Sequence, residues 1–284
     1  MTIEERIAQA DTLTPTELQL AHAVLDLGAR LGGYTLEGLA RATSTSKASI
    51  QRLCKKLGLS GFKALKLEMG KIQTTRPEPI ATVDVNFPFA PGDAQRTIVT
   101  NMSTLYETTV ADTVKLLEPS ELERAARLVS QAKSVEIYTG SHNVYPAQMF
   151  EERLLSAGKR AVCPLSGERM SRLALASDKT HTAIIISYSG LQASYRRIIS
   201  VLREQGTPII LVGSQRARRA LPSLDAYLMV SDRESLQHRI TQFASHIAVQ
   251  FVLDSLFCCV FARDYRKNME FLQRSLPYTA LRSR

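Results

Sequence analysis

The sequence predicts an all-α helix-turn-helix domain followed by an α/β domain, a five-stranded parallel sheet flanked by helices. The pattern before residue 74 is purely helical, whereas after about Ser134 short β-branched runs alternate with helical runs. Between them, Thr74 to Gly92 holds four of the 11 prolines and lacks a helical apolar period, which is typical of a linker. We therefore assign residues 1–75 to the helix-turn-helix domain, 76–115 to the linker and a connecting helix, and 116–284 to the α/β domain.

Composition narrows the class of protein. Apolar residues make up 44% of the 284, as in globular proteins, and 36 Lys and Arg against 27 Asp and Glu give a net charge of +9, which fits a polyanionic partner. The four cysteines form no CxxC, so we expect a reducing compartment and no disulfide framework. The acidic N-terminus is unlike a signal peptide, and the apolar run from Leu256 to Ala262 is far shorter than the ~20 residues that span a bilayer. We expect a cytoplasmic protein without membrane contact, metal or cofactor.

The first helix begins with a capping box. Thr14 can cap the helix, Pro15 suits its first position, and Glu17 can reach back to the cap amide. Gly32-Gly33 is expected to end this helix. The apolar face is predicted to comprise Leu18, Ala21 and Leu25, with Val24 as a further candidate.

Two short helices follow, joined by a tight turn. Thr35 can cap the second helix, the turn is Thr43-Ser44-Thr45, Ser46 can cap the third helix and Gly58 closes it. The third helix places one apolar stripe at i, i+3, i+4 and i+7, with polar and basic residues elsewhere. This arrangement matches a helix-turn-helix. The stripe consists of Ile50, Leu53, Cys54 and Leu57.

Positive charge concentrates on and around the third helix. The segment from Arg41 to Lys71 has eight basic residues and one acid, Glu68, for a charge of +7. Such a local charge suits phosphate binding, although an ordinary solvated helix face is the alternative. We expect Ser49, Gln51 and Arg52 to reach base edges in the major groove. The residues expected to hold phosphates are Lys47, Lys55, Lys56 and Lys63.

Five strands are predicted after residue 133, separated by helical runs, so that ligands should bind at the carboxyl ends of a parallel sheet. The strands are Ser134–Thr139, Arg160–Pro164, His181–Ser187, Pro208–Gly213 and Ala226–Val230. The intervening helices are predicted over 146–158, 168–176 and 192–205, and a long last helix over Ser235 to Arg263.

Two loops at that edge carry small polar side chains. In the loop after the third strand, Ser187, Ser189 and Gln192 are the candidate contacts of an anion, helped by the dipole of the next helix. The loop after the first strand contributes Ser141, His142 and Asn143. Plain strand-helix turns with capping side chains are the alternative for both loops.

The sequence LEGLARATSTSKASIQRLCKKLGLSGFKALKLEMG, Leu36 to Gly70, resembles the DNA-binding domain of RpiR/MurR-type bacterial transcriptional regulators. Ser46 before the recognition helix, the run from Arg52 to Gly58 and Gly61-Phe62 carry the likeness, and the loop from Ser187 to Gly190 resembles that of the sugar isomerase (SIS) domain in this family. The resemblance implies a repressor or activator that senses a phosphorylated sugar or related metabolite, and a homodimer or tetramer on a palindromic operator. It also implies Ser46 as a DNA-interface residue.

The chain departs from the family pattern in its ligand loops. Thr139, Ser141 and Asn143 occupy the positions of two glycines and a phosphate-binding serine, and Gln192 replaces a threonine. A regulator with a vestigial ligand site is therefore one alternative. The other is a sugar-phosphate isomerase with a basic appendage, for which Glu168 could serve as the base, although nothing in the sequence positions it. We expect no catalytic residues.

Overall fold

The computed structural model describes residues 6–7, 13–71 and 83–279. The chain divides by its contacts into two compact units, one formed by residues 1–82 with 235–238 and the other by 83–234 with 239–284. Residues 83–115, which sequence analysis assigned to the linker and connecting helix, belong to the second unit. The first part of the predicted linker, 74–82, lies outside the described residues, so the functional domain boundaries stay predictions.

The first unit is helical, as predicted. Its helices are α1 (Pro15–Leu27), α2 (Leu36–Ala42), α3 (Lys47–Lys56) and α4 (Phe62–Lys71), with a 3₁₀ turn at Gly28–Gly33. Helix α1 thus ends one turn before the expected Gly32-Gly33.

The core of the first unit corrects the predicted face of α1. Leu20, Ala21 and Val24 are buried, whereas Leu18 is 42% exposed. The two α1 leucines differ because the helix turns its Leu20 side, rather than its Leu18 side, toward the other helices. All four residues of the predicted α3 stripe are buried in the same cluster: Ile50, Leu53, Cys54 and Leu57.

The second unit is an α/β fold with a five-stranded, all-parallel sheet, as predicted. Its strands are β1 (Ser134–Tyr138), β2 (Ala161–Val162), β3 (His181–Ile186), β4 (Ile209–Gly213) and β5 (Ala226–Met229). The helices between the strands are α7 (Val144–Ser156), α8 (Gly167–Ala176), α9 (Ala193–Glu204) and α10 (Gln215–Ala220). Helices α5 (Gln95–Leu116) and α6 (Pro119–Gln131) precede the sheet, and α11 (Ala244–Arg263) and α12 (Tyr265–Thr279) follow it.

The strand order β2-β1-β3-β4-β5 reverses direction between β1 and β3. In open parallel sheets such a reversal opens a crevice at the carboxyl ends of the two strands, where ligands bind. Strands β1 and β3 pair along their whole length, from Ser134 opposite His181 to Tyr138 opposite Ile185. The loops that leave them therefore start side by side at the crevice.

The last long helix begins later than predicted, at Ala244 instead of Ser235. The carboxylate of Glu234 accepts hydrogen bonds from the amides of Phe243 and Ser245, at 3.0 and 2.6 Å, and so fixes the helix start. By length and composition α11 is apolar enough to cross a membrane, yet eight of its residues are buried against other parts of the second unit. It packs against α5, α6 and α7, which is the arrangement of a core helix.

Candidate DNA interface and ligand site

Helix α3 is bounded by local hydrogen bonds that the sequence predicts. The Ser46 hydroxyl accepts a 3.0 Å bond from the Ser49 amide at the helix start. At the helix end Gly58 has φ +71°, and the Leu59 amide donates to the Cys54 carbonyl at 2.9 Å, which is a glycine-terminated C-cap. The turn before α3 is tight because Ser44 adopts φ +52°.

The outer face of α3 presents the predicted base readers unequally. Gln51 and Arg52 are exposed, whereas Ser49 is buried at 9% exposure. The Ser49 hydroxyl lies 2.9 Å from the Ser46 hydroxyl and accepts a 3.0 Å bond from Nη2 of Arg52. Gln51 and Arg52 are therefore the accessible members of this set, and Ser49 contributes by hydrogen-bonding to the Arg52 guanidinium.

The four lysines expected to hold phosphates fall into two pairs. Lys47 forms an exposed ion pair with Glu37, and Lys56 donates a 2.6 Å bond to Oε2 of Glu17. In the described part of the chain, Lys55 and Lys63 are exposed and form no ion pair. The second pair thus offers uncompensated positive charge.

The capping box of α1 produces an unexpected link to α3. Glu17 binds back to both the amide and the hydroxyl of Thr14, each at 2.9 Å, as the sequence predicts. Its other oxygen, Oε1, lies 4.0 Å from Nε of Arg52. Together with the backbone bond, the Lys56 ammonium lowers the pKa of Glu17 from 4.5 to about 2.

The two predicted ligand loops meet at the crevice between β1 and β3. The Thr139 hydroxyl donates a 3.1 Å bond to the Ile186 carbonyl, which joins the ends of the two strands. A methyl group built on Gly140 would lie 3.6 Å from the Tyr195 hydroxyl and 3.9 Å from the amide of Gln192. Gln192 therefore extends across the crevice toward the first loop.

The loop after β3 is held by its own serines. The buried Ser187 hydroxyl accepts a 3.0 Å bond from the Gly190 amide, and the half-buried Ser189 hydroxyl accepts a 3.3 Å bond from the Leu191 amide. Each hydroxyl retains its proton to donate. The N-cap of α9, Gln192, makes no side-chain bond to the helix, so it leaves first-turn amides for an anion.

The loop after β1 forms the 3₁₀ turn Ser141–Asn143 and holds buried polar atoms without partners. Ser141 adopts φ +56°, a conformation that favours glycine. Among the described residues, neither ring nitrogen of His142 and not the Oδ1 of Asn143 has a hydrogen-bond partner. Burial lowers the pKa of His142, and the nearby Arg239 and His246 lower it further, which favours the neutral form of the ring.

Two residues near the ligand loops were not predicted from the sequence. The 3₁₀ turn packs against α11, and the segment that precedes α11 contributes Glu234 and Arg239. The guanidinium Nη1 of Arg239 lies 3.5 Å from Oε2 of Glu234 and makes no hydrogen bond to any described residue. Burial raises the pKa of Glu234. The only signal in the sequence was that Glu234 directly precedes Ser235, the predicted start of the last helix.

The comparisons with known proteins agree with both units. Residues 1–74 match the family model of the helix-turn-helix domain, rpiR family. Over 277 residues the chain is 24% identical to an HTH-type transcriptional regulator of Caldanaerobacter subterraneus, covering 96% of this chain and 95% of the relative.

Solved structures share the fold. The structure of Vibrio vulnificus NanR complexed with ManNAc-6P matches with a TM-score of 0.61 and 17% identity, covering 99% of this chain and 100% of that one. The sugar isomerase domain of an RpiR transcription factor from Sphaerobacter thermophilus matches with a TM-score of 0.55 and 15% identity, covering 62% of this chain and 96% of that one. Residues 1–74 therefore match the helix-turn-helix domain of the rpiR family, the α/β domain has the fold of sugar isomerase domains, and the chain as a whole is similar to HTH-type transcriptional regulators.

Proposed function

We propose that the protein is a cytoplasmic, sequence-specific DNA-binding regulator whose α/β domain binds a phosphorylated sugar or a related metabolite and thereby changes DNA binding. The observation that carries the proposal is the meeting of the two polar loops at the β1/β3 crevice, through the 3.1 Å bond from Thr139 to Ile186. The same chain contains a helix-turn-helix domain, whose DNA binding such a ligand would regulate.

The DNA interface in this proposal is the exposed face of α3 with its flanking cations. Gln51 and Arg52 read bases, because Gln pairs with adenine and Arg with guanine in the major groove. Lys55 and Lys63 hold phosphates, since both are exposed and lack an ionic partner in the described structure. Helix-turn-helix proteins commonly bind as two-fold dimers, which supports a palindromic operator and a homodimer or homotetramer.

The ligand site in this proposal combines the two loops. Ser189, Gln192 and the first-turn amides of α9 receive the phosphate. His142 and Asn143 face the remainder of the ligand, because buried polar atoms without partners are the groups that a bound molecule satisfies. NanR, which shares the fold, was solved with a phosphorylated sugar derivative, and this favours the same class of ligand.

A regulator fits the site better than a sugar-phosphate isomerase. Glu168, the base that the sequence suggests, is exposed on α8 and paired with Arg172 at 2.6 Å. Glu234 is buried, but its carboxylate already accepts two amide hydrogen bonds at the start of α11. Neither carboxylate is placed to move a proton on a bound sugar.

A thermal-shift panel of aldose and ketose phosphates tests the ligand proposal. At 100 times its Kd, a ligand adds about 2.7 kcal/mol of stability to the folded state. We expect one member to stabilise the wild type and to stabilise Ser189→Ala much less, while Ser200→Ala, an exposed serine on α9, behaves as wild type. No shift with any member would favour the vestigial site. Turnover of the stabilising sugar phosphate would favour the isomerase.

A further inference from the structure

We propose that Glu17, a buried carboxylate outside the recognition helix, is a positioning residue for DNA recognition: it holds Arg52 for base reading and withdraws Lys56 from phosphate binding. The inference rests on the proposed function, since it presumes that α3 enters the DNA groove. It assigns different roles to the neighbours Lys55 and Lys56, which the sequence predicts alike as phosphate-binding residues.

Glu17 is placed as a fixed anchor. It is 4% exposed, and its Oε2 accepts hydrogen bonds from the Thr14 amide, the Thr14 hydroxyl and the Lys56 ammonium, at 2.9, 2.9 and 2.6 Å. These three donors come from the start of α1 and the end of α3. The carboxylate therefore joins α3 to α1, and its pKa, lowered to about 2, keeps it charged at neutral pH.

Arg52 is held from two sides. Its Nε lies 4.0 Å from Oε1 of Glu17, and its Nη2 donates a 3.0 Å bond to the hydroxyl of Ser49. The side chain is nevertheless 62% exposed. The Nε and Nη2 nitrogens thus each face a partner in the protein while most of the side chain stays exposed, and a planar guanidinium restrained in this way loses less entropy when it pairs with a guanine.

Lys56, unlike Arg52, is largely covered and is neutralised by Glu17. Its side chain is 32% exposed and its ammonium is paired with the buried carboxylate at 2.6 Å. A neutralised lysine releases no counterion when DNA binds, whereas each lysine that neutralises a phosphate steepens the salt dependence by about 0.9 in log-log slope. Lys55, which is exposed and without an ionic partner in the described structure, is the contributing neighbour.

Salt titrations with four proteins test the inference: wild type, Glu17→Gln, Glu17→Gln/Lys56→Met and Lys55→Met. The probes are a random-sequence duplex and a duplex that the wild type selects from a random pool. Gln at position 17 still accepts the Thr14 amide, because Glu and Gln both complete a capping box, so the substitution removes the charge and keeps the cap.

The expected changes in slope, relative to wild type, differ in sign between the variants. On the random duplex, Glu17→Gln steepens the slope by up to about 0.9 because Lys56 is no longer neutralised by the Glu17 carboxylate, and the double variant returns it to the wild-type value. Lys55→Met makes the slope shallower by about 0.9. On the selected duplex, both variants that lack the Glu17 charge lose roughly tenfold or more in preference over random DNA, as expected for a weakened base contact worth about 1–3 kcal/mol.

An unchanged or shallower slope in Glu17→Gln would overturn the inference, as would an unchanged preference for the selected duplex. If that variant melts below the assay temperature, Glu17→Asp replaces it. Asp is shorter by one methylene and moves the carboxylate away from Arg52 and Lys56, so a steeper slope and a weaker preference for the selected duplex are again expected. A wild type that selects no sequence would count instead against the proposed function, and the slopes on random DNA would still decide the role of Lys56.

Discussion

The hydroxyl of Thr139 donates to the carbonyl oxygen of Ile186, 3.1 Å away, and so ties the end of β1 to the end of β3. Thr139 is 1% exposed. Its side chain therefore does not project into the crevice. It adds a cross-strand bond beneath the two ligand loops and leaves the space above them to His142, Asn143 and Gln192.

Gly213 at the end of β4 is expected to be indispensable for the shape of the β3 loop. A Cβ there would lie 2.3 Å from the Ser187 carbonyl oxygen and 3.0 Å from Cβ of Ala217. Gly213→Ala should lower the free energy of unfolding by about 1–3 kcal/mol through overpacking. Urea unfolding measures this, with Gly167→Ala as the control because nothing lies within 4 Å of its Cβ. Equal stability of the two variants would contradict the account.

His142 is expected to serve the ligand rather than the fold. Both ring nitrogens are buried without hydrogen-bond partners in the described structure, so the folded state already bears their desolvation. His142→Leu should leave the melting temperature of the ligand-free protein unchanged or higher and remove most of the stabilisation by the sugar phosphate found in the thermal-shift panel. Loss of stability in the ligand-free variant with normal ligand stabilisation would reverse this assignment.

The first unit should lose stability in acid through Glu17. Because the folded-state pKa is lowered from 4.5 to about 2, the contribution of the carboxylate is fully present above about pH 4.5 and is lost as the pH falls toward 2. Unfolding of wild type and Glu17→Gln at pH 5, 4 and 3 should show a difference in stability that shrinks with acid. A difference that stays constant over this range would place the stabilisation elsewhere.

Glu136 should give the opposite dependence of stability on pH. It is 2% exposed in β1, its Oε2 accepts a 2.8 Å bond from the Tyr138 hydroxyl, and burial raises its pKa. A raised pKa gives stability that is present at low pH and lost as the pH rises through the folded value. Glu136→Gln should therefore be as stable as wild type, or more stable, at pH 7.5, with no such gain at pH 4.5.

The exposed Glu152→Gln is the matched control for that measurement. Urea unfolding at the two pH values supplies the free energies. A loss of more than about 1 kcal/mol in Glu136→Gln at pH 7.5 would mean that the charge itself stabilises the strand, as for a buried ion pair whose partner is left alone. His181, with Nδ1 3.1 Å from Oε1 of Glu136, would be that partner.

The parts of the fold that depend on near neighbours in sequence could be predicted. Thr14, Ser46 and Gly58 delimit helices through bonds that reach only a few residues, and their roles are confirmed. The alternation of apolar strands with helices was equally readable, because a buried parallel sheet requires it. The predicted buried face of α1 was wrong at Leu18, because helical periodicity does not determine which of two adjacent apolar stripes packs against the other helices.

The site depends on contacts that sequence spacing does not encode. Glu17 and Lys56 are 39 residues apart, and their bond forms only because α1 crosses the end of α3. Glu234 fixes the start of α11 across an irregular segment, and this segment was wrongly predicted as helix because Ile240 and Phe243 continue the apolar period. Charge patterning alone therefore assigned equal roles to lysines with and without a partner.

Binding of the selected duplex with and without the stabilising sugar phosphate, followed by fluorescence anisotropy at fixed salt, tests the central claim most directly. The account predicts a preference for that duplex over random DNA and a change in its Kd of roughly 5–150-fold on addition of the sugar phosphate, the usual range for coupled sites. Equal affinity for both duplexes, or a Kd that the sugar phosphate leaves unchanged, would contradict it.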